Sequence, residues 1–472
     1  MSNNTSNFTR VLAKKDVLAL SFGAMIGWGW VVLAGSWVQT AGALGAILAF
    51  ILGGIMVLFV GLTYAELASA MPKCGGEHVY TYRALGRNAS FICTWAIILG
   101  YVSVVAFEAV AFPTVIEYLF PSYIQGHMYS VAGYEVYLTW VLVGVVSSLA
   151  ITAINYVGIK PAAVLQGVLT ILIALVGLAF FGGALANGQT SNLQPLFVDS
   201  MKGVLAVAVM TPFMYVGFDV IPQAAEEINI PFKTIGKILV MSVVMAIGWY
   251  VMIIYGVSLA LSEAQMAASK LVTADAMQAV FFNSGIASKI LIIAGIGGIL
   301  TSWNSFFVGG SRAIYSMAES KMLPGFLAYI HPKYKTPVNA VLLIGILSSL
   351  APLFGRKMLV WLVDAGGLAI VIAYLIVAIS FMVLRYREPE MKRPYKVPAG
   401  NFVGIMAIIL SFAMATLYMP GAAAALVWPY EWAIIGGWTL LGAAFYIWAK
   451  ASYGTSYEHE HTLYEDVEEV AV

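Results

Sequence analysis

Phe22-Gly23-Ala24-Met25-Ile26-Gly27-Trp28-Gly29-Trp30 and Thr211-Pro212-Phe213-Met214-Tyr215-Val216-Gly217-Phe218-Asp219 are apolar stretches interrupted by glycine and proline, five hydrophobic spans apart. A helix that crosses a bilayer satisfies its backbone N–H and C=O groups internally, so an unwound turn at mid-membrane is tolerable only where it lines a cavity. Two such breaks at matching places in the two halves of a chain point to one polar site shared by both. The two stretches are therefore read together.

The surrounding sequence leaves little else. The 472 residues are 61% hydrophobic and 10% charged, whereas a soluble surface carries charge at roughly 25–35% of its positions. Apolar windows of about 20 residues fall near 17–40, 44–70, 91–119, 136–157, 162–184 and 204–221, then near 238–261, 286–317, 338–353, 359–384, 403–419 and 432–448. An all-α integral membrane protein with twelve transmembrane helices is expected, the first and sixth discontinuous. The first apolar run is too long for the core of a signal peptide and is expected to remain as a span.

With the amino terminus in the cytoplasm, nineteen of the 24 Lys and Arg residues fall on the inside and five outside. That bias is the positive-inside signature; it puts both termini in the cytoplasm and the chain in the plasma (inner) membrane. The net charge of +1 hides this asymmetry and gives no footing for a nucleic-acid partner. The expected organisation is a cytoplasmic segment over 1–16, a ten-span core over 17–400, two further spans over 401–450 and an acidic tail over 451–472. The tail, with His459 and His461, reads as disordered. Cys74 and Cys93 form no CxxC pattern. Nucleotide loop, HExxH and nucleophile elbow are missing from the sequence, so neither metal nor cofactor nor enzymatic chemistry is expected.

What the breaks can bind follows from the backbone. N–H groups at the start of the half-helix after a break lack partners and sit at the positive end of a helix dipole, where they attract a carboxylate. Met25, Ile26, Gly27, Trp28, Gly29 and Trp30 supply such a cradle. In the second stretch the freed carbonyls of Phe213, Met214 and Val216, next to Gly217, suit an ammonium group. Together they describe an α-amino acid. Trp28 and Trp30 are bulky for a cradle: they narrow the pocket, offer an aromatic face to a cation, or pack into the bundle. Glu108, deep within Val104-Val105-Ala106-Phe107-Glu108-Ala109-Val110-Ala111-Phe112, is an ionisable group in the middle of a span and a functional candidate by default. It can pair with a substrate amine or carry a proton.

Further motifs follow in order. They are Met71-Pro72-Lys73-Cys74-Gly75-Gly76-Glu77-His78-Val79-Tyr80, Tyr82-Arg83-Ala84-Leu85-Gly86, Glu226-Glu227-Ile228-Asn229-Ile230-Pro231, Ser311-Arg312-Ala313-Ile314-Tyr315-Ser316-Met317-Ala318, Lys335-Thr336-Pro337, Leu384-Arg385-Tyr386-Arg387-Glu388-Pro389 and Arg393-Pro394-Tyr395-Lys396-Val397-Pro398. With the two breaks, they resemble the amino acid, polyamine and organocation permease superfamily from about Val11 to Pro398. The resemblance implies the fold of the bacterial leucine transporter: spans one to five and six to ten as inverted repeats, two peripheral spans, and alternating access. It also implies a secondary transporter of amino acids, with amines or polyamines as the alternative cargo. A monomer or homodimer in lipid is expected.

Residue by residue, the resemblance makes Phe213 a gate over the cargo, sets Asn304 and Tyr374 at the side-chain end of the pocket, and brings the span of Glu108 to its wall. Asp219 stands where some exchangers carry a proton-coupling carboxylate; Asp364, beside Gly366 and Gly367, is the weaker candidate. Proton-coupled relatives carry a fifth-span lysine in place of sodium, but here Ile173 occupies that place. A sodium site would need oxygens from Thr301 and Ser302; protons are expected ahead of sodium. A channel or nutrient-sensing receptor on the same scaffold is the remote alternative.

Overall fold

The computed structural model describes residues 8–269, 271–422 and 424–454, with the side chains of 159–162 excepted. The acidic tail from 455 onward, with its two histidines, lies outside the described residues. In chain order the helices are α1 Lys14–Met25, α2 Gly29–Val32, α3 Ala34–Ala41, α4 Ala43–Ala70, α5 Glu77–Leu85, α6 Arg87–Leu119, α7 Leu138–Val157, α8 Ile159–Asn187, α9 Ser200–Ala208, α10 Thr211–Tyr215, α11 Val220–Gln223, α12 Phe232–Ala260, α13 Glu263–Ala268, α14 Val272–Val280, α15 Gly285–Glu319, α16 Val338–Leu350, α17 Met358–Arg387, α18 Gly400–Thr416 and α19 Tyr430–Tyr453. A small antiparallel hairpin, β1 His127–Val131 and β2 Tyr134–Tyr137, fills the connection before α7.

Among the described residues, ten helices are long and apolar enough to cross a membrane. Two of the twelve expected spans take another form. Val338–Phe354 is apolar but shorter, and residues 200–223 are divided among α9, α10 and α11. Both departures concern length, which a hydropathy window does not resolve when helices are short or broken.

The burial pattern suits lipid as the surrounding solvent. Val146, Val168, Leu175 and Leu440 are exposed on outer faces, while Trp28, Trp30, Trp37, Trp303, Tyr215 and Tyr250 are fully buried. Small residues bring backbones together at the centre, as membrane bundles require. A Cβ on Gly298 of α15 would stand 2.7 Å from the Gly27 carbonyl oxygen. At one end of the bundle, buried ion pairs tie loops to helices. Arg312 grips Glu227 through two bonds of 3.0 and 2.9 Å, and Glu66 accepts from Arg385 and pairs with Arg393. The segment before α1 is pinned at the same end, where Val11 and Leu12 donate to the Glu227 carbonyl.

Candidate functional site

The two breaks cross each other. After α1, Ile26 leaves helical geometry (φ −105°, ψ 44°), and the chain turns through Gly27 and Trp28 before α2. After α10, Val216 is extended (φ −62°, ψ 142°) and Gly217 takes φ +137°, a conformation that favours glycine. A Cβ on Gly217 would lie 2.7 Å from Ala24 Cβ, and one on Gly29 would lie 2.6 Å from Met214 Sδ. The glycines are therefore required by contact between the breaks as well as by backbone angle.

Each break is held open by a side chain that takes over a backbone bond. In a continuous helix the Gly217 N–H would reach the Phe213 carbonyl; it donates instead to Asp219 Oδ1 at 2.8 Å. The Gly23 carbonyl, which Gly27 would have used, accepts from the Thr301 hydroxyl at 3.0 Å. Tyr250 donates to the Met25 carbonyl at 2.7 Å. Ser302, next to Thr301, lies with Glu108 against the bare α-carbon of Gly27, where a Cβ would stand 2.6 Å from Glu108 Oε1 and 2.8 Å from Ser302 Cβ.

Glu108 occupies the amide cradle itself. Its carboxylate lies beside the Trp28 backbone N–H and the Ser302 side chain. Glu108 is almost wholly buried, and its Oε2 has no hydrogen-bond partner among the described residues. The space around it is about 20 Å³ and is lined by Ala24, Met25, Gly27, Trp28, Gly29, Val104, Phe107, Glu108, Phe213, Met214, Tyr250, Ser302 and Phe306. That is room for about one water, so an organic cargo requires the walls to part. Phe213 closes one wall: its ring meets Phe107 edge-on at 5.7 Å, and its Cε2 lies 3.1 Å from where a Cβ on Gly366 of α17 would stand.

The remaining expected site residues are distributed around this centre. Ile26, Val216 and Gly217 form the backs of the breaks and do not line the space. The Trp28 ring lies on Gly295, where a Cβ would come within 2.2 Å of it, and Trp30 packs edge-on against Trp249 at 5.3 Å. Both indoles are thus packing elements of the bundle. Asn304 is not at the pocket. Two positions beyond Ser302 it is turned about 200° around α15, where it accepts from Asn155 at 3.1 Å and donates to Gln166 at 3.2 Å. Gln166 in turn holds the Ala19 carbonyl of α1 at 3.2 Å. Ile173 is buried against Gly297.

Tyr374 is also away from the pocket, eight residues or roughly 12 Å along α17 from Gly366. It donates to Asp219 Oδ2 at 3.3 Å and so joins a second buried carboxyl site. There Glu77, from the loop helix α5, accepts from Tyr64 at 3.1 Å and from Tyr101 at 3.4 Å, and Gln223 donates to its other oxygen. Burial pushes the Glu77 carboxyl well above the usual range, and the nearby Asp219 adds to the effect. Next to it, burial and then Arg87 lower His78 to about 3; it stays neutral between Ser90, Thr94 and Ser320.

Sequence reading missed Val104, Phe107, Tyr250, Phe306 and Glu77. Val104 lies one turn from Glu108, and Phe306 one turn from Ser302, so helical spacing offered a signal for both. Tyr250 offered none, being one aromatic among many in an apolar helix.

The chain is similar to known permeases and transporters. The family model described as amino acid permease matches residues 13–440. A branched-chain amino acid permease of Bacillus subtilis is 30% identical over 418 residues, 86% of this chain and 88% of that protein. A methylthioribose transporter of the same organism is 28% identical over 424 residues, 86% and 87% of the two chains. The vacuolar cationic amino acid transporter 8 of Arabidopsis thaliana is 28% identical over 422 residues, 87% of this chain and 69% of that one.

Proposed function

Because the chain belongs to the amino acid permease family, whose members similar to it are membrane transporters, we propose that it carries an amino acid across the plasma membrane by alternating access about the crossing of its two breaks. In this reading twelve spans form a five-plus-five inverted repeat with two peripheral helices, both termini are cytoplasmic, and the working unit is a monomer or homodimer. The ten-span core over 17–400 and the peripheral pair over 401–450 divide the labour between transport and support.

The observation that carries the proposal is the placement of Glu108 in the amide cradle. A cargo carboxylate and the Glu108 carboxylate want the same N–H groups, and two negative charges at one buried spot repel. Protonation of Glu108 releases the Trp28 amide to the cargo, while the ammonium takes the carbonyls of Phe213 and Met214. Binding of an amino acid and of a proton are thereby one event, which makes the protein a proton-linked symporter or exchanger. Sodium has less support, since the Thr301 hydroxyl already spans from α15 to the Gly23 carbonyl.

The same placement favours a second reading. With Glu108 ionised in the cradle, an amine without a carboxylate would pair with it directly. Uptake into proteoliposomes separates the two: zwitterionic amino acids stimulated by a proton gradient support the first, and uptake confined to their decarboxylated amines supports the second. Absence of saturable flux for both, with ligand binding retained, would turn the assignment toward a sensor.

A further inference from the structure

A second pair of carboxyl groups lies apart from both sites described above. Asp364, in the second turn of α17, and Glu431, in the first turn of α19, contact each other side chain to side chain. Glu431 is 1% exposed, and its Oε2 accepts the Val427 N–H at 2.6 Å. Asp364 Oδ1 and Glu431 Oε1 are both buried, and no protein donor among the described residues reaches either. Trp361 and Tyr430, stacked at 4.4 Å, close one side of the contact.

Two acceptor-only groups make a hydrogen bond only if one of them holds a hydrogen. We propose that Asp364 and Glu431 are a proton-binding site of their own, sharing one proton in a carboxyl–carboxylate bond that fastens α17 to the outer helix α19. Bound, the pair carries one proton and one negative charge. Release gives that proton to solvent and leaves two like charges in contact in a buried place, which drives α17 and α19 apart.

The consequence reaches the cargo site through α17. Gly366, two residues beyond Asp364, is the surface on which the Phe213 ring rests. Tyr418, the other titratable group that faces Asp364, passes its hydroxyl over Gly367 to the Val209 carbonyl at 2.5 Å, at the start of the second break. Where α17 faces α6, Ser103 of α6 meets Gly366 and Ile370 of α17 meets Gly100. Loss of the shared proton therefore loosens the wall behind Phe213, while Glu108 is untouched. The proposal rests on the transport reading only for what this loosening does; the proton itself is measured without transport.

The test is infrared difference spectroscopy on the purified full-length protein, titrated from mildly acidic to alkaline pH in a Glu108→Gln, Glu77→Gln background that silences the central carboxyl and the raised Glu77 carboxyl. A protonated-carboxyl band is expected, and both Glu431→Gln and Asp364→Asn should remove it. In each variant the introduced amide donates to the remaining carboxylate, so the contact survives without a proton. Thermal unfolding over the same pH range gives a second readout: the alkaline loss of stability should be smaller in either variant than in its parent. The two variants are read independently, so failure of one to fold leaves the other decisive. A band and a pH slope that persist unchanged in the folded variant would overturn the shared proton. The central transport reading would stand in that case, since its own test is cargo uptake.

Discussion

Glu108 and the Glu77–Asp219 pair are both carboxyl sites buried among the same helices, yet their bonding differs. Around Glu77 and Asp219 every carboxyl oxygen has a donor: Tyr64 and Tyr101 on one, Gln223 on the next, the Gly217 amide and Tyr374 on the others. At Glu108 the carboxyl lies against Gly27 and Ser302, and its Oε2 is buried with no hydrogen-bond partner among the described residues. A satisfied buried network fixes one arrangement, whereas an unsatisfied polar atom is costly and calls for a ligand. The Glu77–Asp219 network is a latch that shapes the second break, and Glu108 is the site proposed to bind.

The largest expected effect comes from filling the binding site. Gly27→Ala puts a methyl where Glu108 and Ser302 already stand, overpacking that costs about 1–3 kcal/mol. Uptake should be lost, with a lower melting temperature; a variant with normal flux would show that the cradle is not where cargo sits. Glu108→Gln comes next. It should fold normally and lose the pH dependence of uptake, with a drop of tenfold or more, about 1.4 kcal/mol, under a proton gradient. Unchanged flux at every pH would remove the contrast between the two sites.

At the latch, substitutions should be graded by what they leave unpaired. Asp219→Ala strands the Gly217 amide, at about 1–3 kcal/mol, and should reduce both stability and flux. Asp219→Asn keeps an acceptor and should recover most of the stability. If the two variants melt alike, the carboxylate is not what holds the break. The smallest effect is that of Glu77→Gln. A carboxyl raised by burial lends stability that is present below the unfolded carboxylate range and is lost as pH rises through its folded range. The wild-type protein should therefore lose more stability on alkalinisation than Glu77→Gln does, a difference visible in paired melting curves. Equal slopes would mean that Glu77 does not titrate as a buried acid.

Much of this was legible in the sequence because broken spans advertise themselves. Glycine and proline inside an apolar run conflict with the need to satisfy backbone groups in lipid, and Gly27, Gly29, Pro212 and Gly217 all mark the crossing. Glu108 was legible for a similar reason, as a charge where a charge is expensive. Rotation about a helix axis was not. Nothing in the composition of α15 separates Ser302, which faces the cradle, from Asn304, which faces Gln166. The indoles of Trp28 and Trp30 could have turned either way, and only the small face of Gly295 and the ring of Trp249 decided for the bundle. Glu77 was hidden by lying in a loop, where a carboxylate is ordinarily solvated and unremarked. Glu431 was hidden likewise at the start of the last apolar window.

Calorimetric titration of the purified protein with an amino acid, repeated in buffers of different ionisation enthalpy, counts the protons taken up on binding and so tests the shared cradle most directly. If cargo and Glu108 compete for the same amides, binding above the pH at which Glu108 releases its proton should take up about one proton per amino acid, and Glu108→Gln should take up none. Binding of an amino acid to the wild type with no proton uptake at any pH would contradict it.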